Sequence, residues 1–211
     1  MKKSSFLTIA FLTLWFFNCY AQVTITNLRC EHLENPIGID ERHPRLTWQL
    51  TSEKPGVSQT AYQITVGTWE SEIITGSTMP VVYDGPGLLP FTRYNWSVRV
   101  LDSNDQWSPW SPTAFFETGM MNPSNWKGHW ISDGHGLGGN SIHVKQAPYF
   151  RKEFNNSKPI RSARAYIAAA GLYELYINGE RIGDHQLDPM FTRFDRRNLY
   201  VTHDVTSHLK N

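Results

Sequence analysis

Between Val23 and Thr118, apolar and polar residues alternate in short runs. In RLTWQL, Leu46, Trp48 and Leu50 share one side, and Arg45, Thr47 and Gln49 share the other. AYQITVG sets Tyr62, Ile64 and Val66 among polar neighbours, and RYNWSVRV sets Tyr94, Trp96, Val98 and Val100 opposite Asn95, Ser97 and Arg99. A period of two predicts half-buried antiparallel strands, each with one wet face. The clusters PGV, DGPG and LLP interrupt the runs, as turn residues do. No helical period of useful length lies in this stretch, so it predicts an all-β unit.

Two features narrow the prediction to an immunoglobulin-like sandwich. Trp48 sits in an early strand, where a large ring fills the space between two sheets. LPFTRY, Leu89 to Tyr94, resembles a tyrosine corner, in which a Tyr at the start of a late strand bonds back to upstream backbone. With the closing run TAFFETG, residues 22–119 resemble a fibronectin type III module. WSPWSP, Trp107 to Pro112, is similar to the WSxWS box of cytokine-receptor modules. It lies between the last two predicted strands, beside the face that carries Arg99, where the indoles can stack on guanidinium. A receptor would also need paired disulfides in its first domain, and the whole chain has two cysteines, Cys19 and Cys30. Packing, not receptor function, is the better account of the box.

After the linker MMNPSN the character changes. NWKGHWIS is followed by the loop DGHGLGGNS, then PYFRKEF, IRSARAYIAAAGLYELYINGERIGDHQL and NLYVTHDVTSHL, which read as five or six strands. Asn178-Gly179 is a strong hairpin signal, because both central residues of a type I′ turn need positive φ. A two-residue turn there pairs Ile177 with Glu180, Tyr176 with Arg181 and Leu175 with Ile182. Leu175 and Ile182 then face inward together, while Tyr176 and Arg181 stack on the other side.

The N-terminus changes the compartment. Lys2 and Lys3 precede an apolar run from Phe6 to Phe17, and Cys19-Tyr20-Ala21 offers a small-residue cleavage position before Gln22. That layout predicts a secretory signal peptide over residues 1–21, cut between Ala21 and Gln22. The run is shorter than the roughly 20 residues of a membrane span. Phe17 and Asn18 are poor residues before a lipidated cysteine, so ordinary cleavage is expected and export follows, to the periplasm or beyond the cell. Without Lys2 and Lys3, the 20 Lys+Arg fall to 18 against 19 Asp+Glu, a net charge of −1. No field attracts nucleic acid or an anionic membrane. Cys30 alone then remains, which excludes an internal disulfide and reads as a structural thiol.

NWKGHWIS, APYFRKEF, ARAYIAAAGLYELYINGERIGDHQLDP and FTRFDRRNLYVTHDVTSHL together resemble the N-terminal β-sandwich region of bacterial α-L-rhamnosidases of glycoside hydrolase family 78. The fibronectin-like module ahead of it fits the same family. One departure is Asp188 to Thr192, DPMFT, where the family more often has Pro-Gly-Trp-Thr. The resemblance implies a jelly-roll sandwich over 120–211, incomplete because such a fold has about eight strands. It also implies an inverting glycosidase that removes terminal α-L-rhamnose from glycans or glycosides. Inversion uses a general acid and a general base whose carboxyls stand roughly 6.5–9.5 Å apart. The family carries them in a downstream (α/α)6 barrel, so this stretch is expected to hold no catalytic residue, metal or cofactor. Its expected partner is that barrel.

Local candidates for chemistry are weak. Glu174, Glu180, Asp184 and Asp188 cluster near the hairpin, but strand parity puts Glu174 and Asp184 on opposite faces, so solvated charges are expected. Asp204 reads as a turn organiser. His129, His135 and His143 lack the i, i+4 spacing of a helical zinc site, and GHGLGG lacks the Lys-Ser or Lys-Thr of a phosphate loop. Arg193, Arg196 and Arg197 read as a solvated strand edge. Two other functions fit the pattern. One is a non-catalytic sugar-binding or adhesion module using Trp107, Trp110, Trp126 or Trp130; the other is the front domain of a β-galactosidase-like enzyme. Substrate-binding residues are not legible.

Overall fold

The computed structural model describes residues 23–134 and 147–210. The expected leader and its Ala21–Gln22 junction lie outside the described residues, as do His135 and His143. Nine strands make the first unit: β1 (Thr24–Cys30), β2 (Ile37–Ile39), β3 (Arg45–Thr51), β4 (Gln59–Val66), β5 (Trp69–Glu70), β6 (Ile74–Thr75), β7 (Val81–Val82), β8 (Arg93–Asp102) and β9 (Ala114–Thr118). One sheet runs β1-β3-β7; the other runs β2-β9-β8-β4-β5, with β6 also on β4. Among the described residues no α-helix forms, and no helix is long and apolar enough to cross a membrane.

The alternating residues close on one another between these sheets. Leu46, Trp48, Tyr62, Ile64, Val66, Trp96, Val98, Val100 and Phe116 are all buried in one cluster. Trp48 meets Tyr62 edge-on at 5.4 Å, and its indole N–H donates to Gln59 Oε1 at 3.0 Å. The corner is present: the Leu89 N–H donates to the Tyr94 hydroxyl at 2.8 Å. Cys30 is buried on β1.

WSPWSP resolves into a substitute strand. Ser108 N–H donates to Val100 O and Ser111 N–H to Val98 O, both at 2.8 Å. Their hydroxyls accept from the same two residues, Val100 N–H at 3.0 Å and Val98 N–H at 3.1 Å. Trp107 and Trp110 then bracket Arg99, whose guanidinium carbon lies 4.8 and 5.0 Å from the two ring centres. Gln63 Oε1 accepts from the same guanidinium at 2.9 and 2.5 Å.

Two features differ from the alternation. The polar side of β4 is covered, not wet: Gln63 is buried, and its Nε2 donates to Ser71 O at 2.9 Å. Flanking strands and the Arg99–Trp layer lie over it, which periodicity cannot show. And β2 runs parallel to β9, pairing Ile37 with Glu117 and Ile39 with Thr118. The segment crosses between sheets there, so a positive φ of 79° at Gly38 is needed.

Beyond Trp126, four strands form: β10 (Arg164–Ala168), β11 (Leu175–Ile177), β12 (Glu180–Ile182) and β13 (Tyr200–Asp204). They make two sheets, β10-β13 and β11-β12. PYFRKEF is not a strand; Tyr149, Phe150 and Phe154 stay exposed. A strand needs a partner for its N–H and C=O groups, and among the described residues no segment pairs with 149–155. Arg193, Arg196 and Arg197 lie in a turn instead of on a strand edge: the amides of Arg196 and Arg197 both donate to Arg193 O. Asp195 between them ion-pairs with Arg193 at 2.8 Å, and local charge pairing of this kind favours the turn.

Tyr94→Phe removes one acceptor and is expected to lower stability by about 1 kcal/mol in a denaturant titration followed by tryptophan fluorescence. Burial, with Glu31 second, pushes the Cys30 thiol up to about 12. Since the thiolate is the reactive form, a chain beginning at Gln22 should show no thiol to a disulfide reagent at pH 8 until denaturant is added.

Candidate functional site

The hairpin places most of the polar side chains of the second region. Asn178 and Gly179 have φ of 53° and 87° and form the two-residue turn between β11 and β12. The register is Leu175↔Ile182, Tyr176↔Arg181 and Ile177↔Glu180. Ile182 is buried, whereas Tyr176 is exposed and donates to Glu174 Oε2 at 2.9 Å. Asn178 Nδ2 donates to His208 O at 2.8 Å, which docks the turn on the chain after β13.

Between hairpin and β13 lies an open depression of about 260 Å³. Ile182, Asp184 and His185 line one wall; Val201, His203 and His208 line the other. From that wall His203 Nε2 meets the Tyr173 hydroxyl at 2.8 Å. Burial lowers the His203 pKa from its ordinary value, with Asp188 opposing and His185 reinforcing. Burial, helped by Asp188, likewise raises the Tyr173 phenol. Both shifts favour uncharged partners. A phenol held acid-weak beside an imidazole held base-weak makes a neutral hydrogen bond.

Of the carboxylates singled out in the sequence, Asp188 is largely enclosed, against the expectation of a solvated charge, and acts on both members of this pair; the others do not converge on it. Glu180 bonds His208 Nδ1 at 2.9 Å. Glu174 lies 3.9 Å from Arg181, and the Asp184 side chain is 97 % exposed. Asp188 contributes its backbone, accepting the Tyr173 N–H at 2.8 Å. Asp204 Oδ1 accepts from Thr206 N–H at 3.0 Å and from its hydroxyl at 2.6 Å, organising the turn that follows β13. Among the described residues no three His, Cys, Asp or Glu side chains gather as metal ligands. His129 is exposed and belongs to no such group. Of the tryptophans, Trp107 and Trp110 stack on Arg99, Trp126 packs 5.8 Å from Tyr200, and Trp130 is 66 % exposed. The Tyr173–His203 pair is not legible in the sequence, because its members stand 30 residues apart in two separate segments.

Comparison with known proteins gives the geometry a context. Residues 25–122 match the family model "Rha78A-like, N-terminal immunoglobulin domain", and residues 158–211 match "Alpha-L-rhamnosidase N-terminal domain". An α-L-rhamnosidase of Formosa agariphila is 32 % identical over 207 residues, with 84 % of this chain and 22 % of that protein covered. The structure of the α-L-rhamnosidase from Dictyoglumus thermophilum superposes with a TM-score of 0.79 at 38 % identity, covering 92 % of this chain and 24 % of that one. The Streptomyces avermitilis α-L-rhamnosidase complexed with L-rhamnose gives a TM-score of 0.51 at 28 % identity, over 89 % and 21 % of the two chains. The chain thus spans less than a quarter of the length of these relatives.

The shift at His203 has a sign that can be measured. A histidine whose folded pKa lies below its unfolded one binds fewer protons when folded. Its contribution to stability is therefore complete above the ordinary value of 6.5 and declines as the pH falls through it. His203→Gln should flatten the dependence of unfolding free energy on pH between about 7 and 5. An unchanged slope in denaturant titrations would refute the assignment.

Proposed function

The chain belongs to the α-L-rhamnosidase family, as its N-terminal region, and we propose that it is the accessory front of an exported enzyme of that activity. The single observation that carries the proposal is the order of the two family matches, 25–122 then 158–211, on a fold that superposes over 92 % of its length with a rhamnosidase. The whole enzyme hydrolyses terminal α-L-rhamnose from glycans or glycosides with inversion. Its acid and base are two carboxylates with a water between them, and they lie in a downstream (α/α)6 barrel. L-Rhamnose bound to the Streptomyces avermitilis relative supports the substrate class.

The role of this stretch is structural. A fibronectin-like module (22–119) and the opening strands of a jelly roll (120–211) pack ahead of the barrel and hold its position. Export rests on the leader: Lys2 and Lys3, the apolar run Phe6 to Phe17, and the Ala21–Gln22 junction. The single thiol left after cleavage suits an oxidising compartment, where it has no partner within the chain.

Purified residues 22–211 should release no rhamnose from an aryl α-L-rhamnoside, and turnover by that fragment would contradict the proposal. The product of the coding sequence read past Asn211 should release it, with β-L-rhamnose the first anomer seen by proton NMR. Intact-mass analysis of the secreted protein should give a chain that starts at Gln22.

A further inference from the structure

We infer that the N-terminal sandwich is the folding template of the β10–β13 sheet, with a dependence that runs in one direction. Two strands of five residues, joined through residues 169–199, make a weak unit in isolation. A lone two-stranded ladder is marginal in water, and closing a long connection adds an entropic cost. Such a sheet needs a surface to lie on.

The surface is built at the edge of the first sandwich. Register places Arg164, Tyr166 and Ala168 on the same face as Asp204, Thr202 and Tyr200. That face meets β2 and the end of β9. Arg164 grips Glu117 of β9 with two bonds, Nε to Oε1 at 2.7 Å and Nη2 to Oε2 at 2.9 Å. Both side chains are largely enclosed, 12 % and 8 % exposed. The Tyr200 hydroxyl donates to Asp40 Oδ2 at 2.8 Å and accepts from Met120 N–H at 3.0 Å. Thr202 sits where any side chain at Gly38 would be, since a Cβ there would come within 2.2 Å of its hydroxyl. Phe91 closes the seam edge-on to Tyr166 at 5.4 Å.

The asymmetry follows from where each partner keeps its core. The first sandwich buries Trp48, Trp96, Val98, Val100 and Phe116 among themselves, away from the seam. The β10–β13 strands have no such reserve: every residue of β10 is only half-buried, and residues 201–204 of β13 border the open depression. Losing the seam leaves the first unit with its core and the second with almost nothing.

Residue-resolved amide hydrogen exchange on the full chain tests this. In Glu117→Gln the enclosed Arg164 loses the one of its two counter-charges that lies across the seam and keeps Asp204, so amides of 164–168 and 200–204 should exchange about a hundredfold faster. Amides of β4 and β8 should stay within about twofold of the parent, since distant sites act independently. Tyr200→Phe alters only the second unit's side of the seam and should accelerate the same two segments about tenfold. Three results would overturn the inference: no protection of β10 and β13 in the parent chain, no acceleration in Tyr200→Phe, or equal acceleration of β4 and β8.

Discussion

The carboxylate of Glu117 is the constraint on which the arrangement of the two regions depends. It is buried at the end of β9, and an isolated charge in that position would cost several kcal/mol. It is satisfied from both directions: Arg93 on the neighbouring β8 reaches Oε2 at 3.2 Å, and Arg164 on β10 takes both oxygens. Arg164 in turn holds Asp204 at 2.9 Å, so one chain of charge runs from β8 through β9 and β10 to β13. The hydrogen bonds to Glu117, with its field, hold the Arg164 guanidinium still more firmly protonated than usual. Breaking the Glu117–Arg164 link takes a partner from two enclosed charges at once. These pairings fix how the two regions meet.

The parallel β2 strand makes this possible. By lying beside β9 it brings Gly38 and Asp40 level with Glu117 and Gly119. Asp40 then serves both sides, accepting Met121 N–H at 2.7 Å through one oxygen and the Tyr200 hydroxyl through the other. Gly119 has no side chain to obstruct, and a Cβ there would stand 2.1 Å from the Tyr200 hydroxyl. Burial, more than its bonds, keeps that phenol protonated and available as a donor.

What the sequence makes legible is local. The period of two in β3, β4 and β8, the corner at Tyr94 and the stacking of Trp107 and Trp110 on Arg99 are read from residues within a few positions of one another. Each expresses backbone geometry or a side chain's own chemistry. The seam is not legible, because its partners are far apart in the chain: 47 residues for Glu117 and Arg164, 160 for Asp40 and Tyr200. A lone acidic residue in TAFFETG carries no mark that it will be enclosed. The same holds for PYFRKEF, whose alternation suits a strand but does not supply a neighbour to pair with. Among the candidate site residues, the charges of the hairpin were readable as surface groups by parity, whereas Tyr173 and His203 meet only through the fold.

The doubled serines of WSPWSP have a consequence for how these molecules coexist at high concentration. Where β9 ends, the rim of the larger sheet would otherwise present bare amide and carbonyl groups to any extended peptide nearby. Ser108 and Ser111 occupy both groups of Val100 and Val98, filling each carbonyl with a main-chain N–H and each amide with a hydroxyl oxygen. The prolines that follow them have no N–H with which to recruit another ribbon. The first sandwich thereby seals its most adhesive border with six residues in place of a further strand.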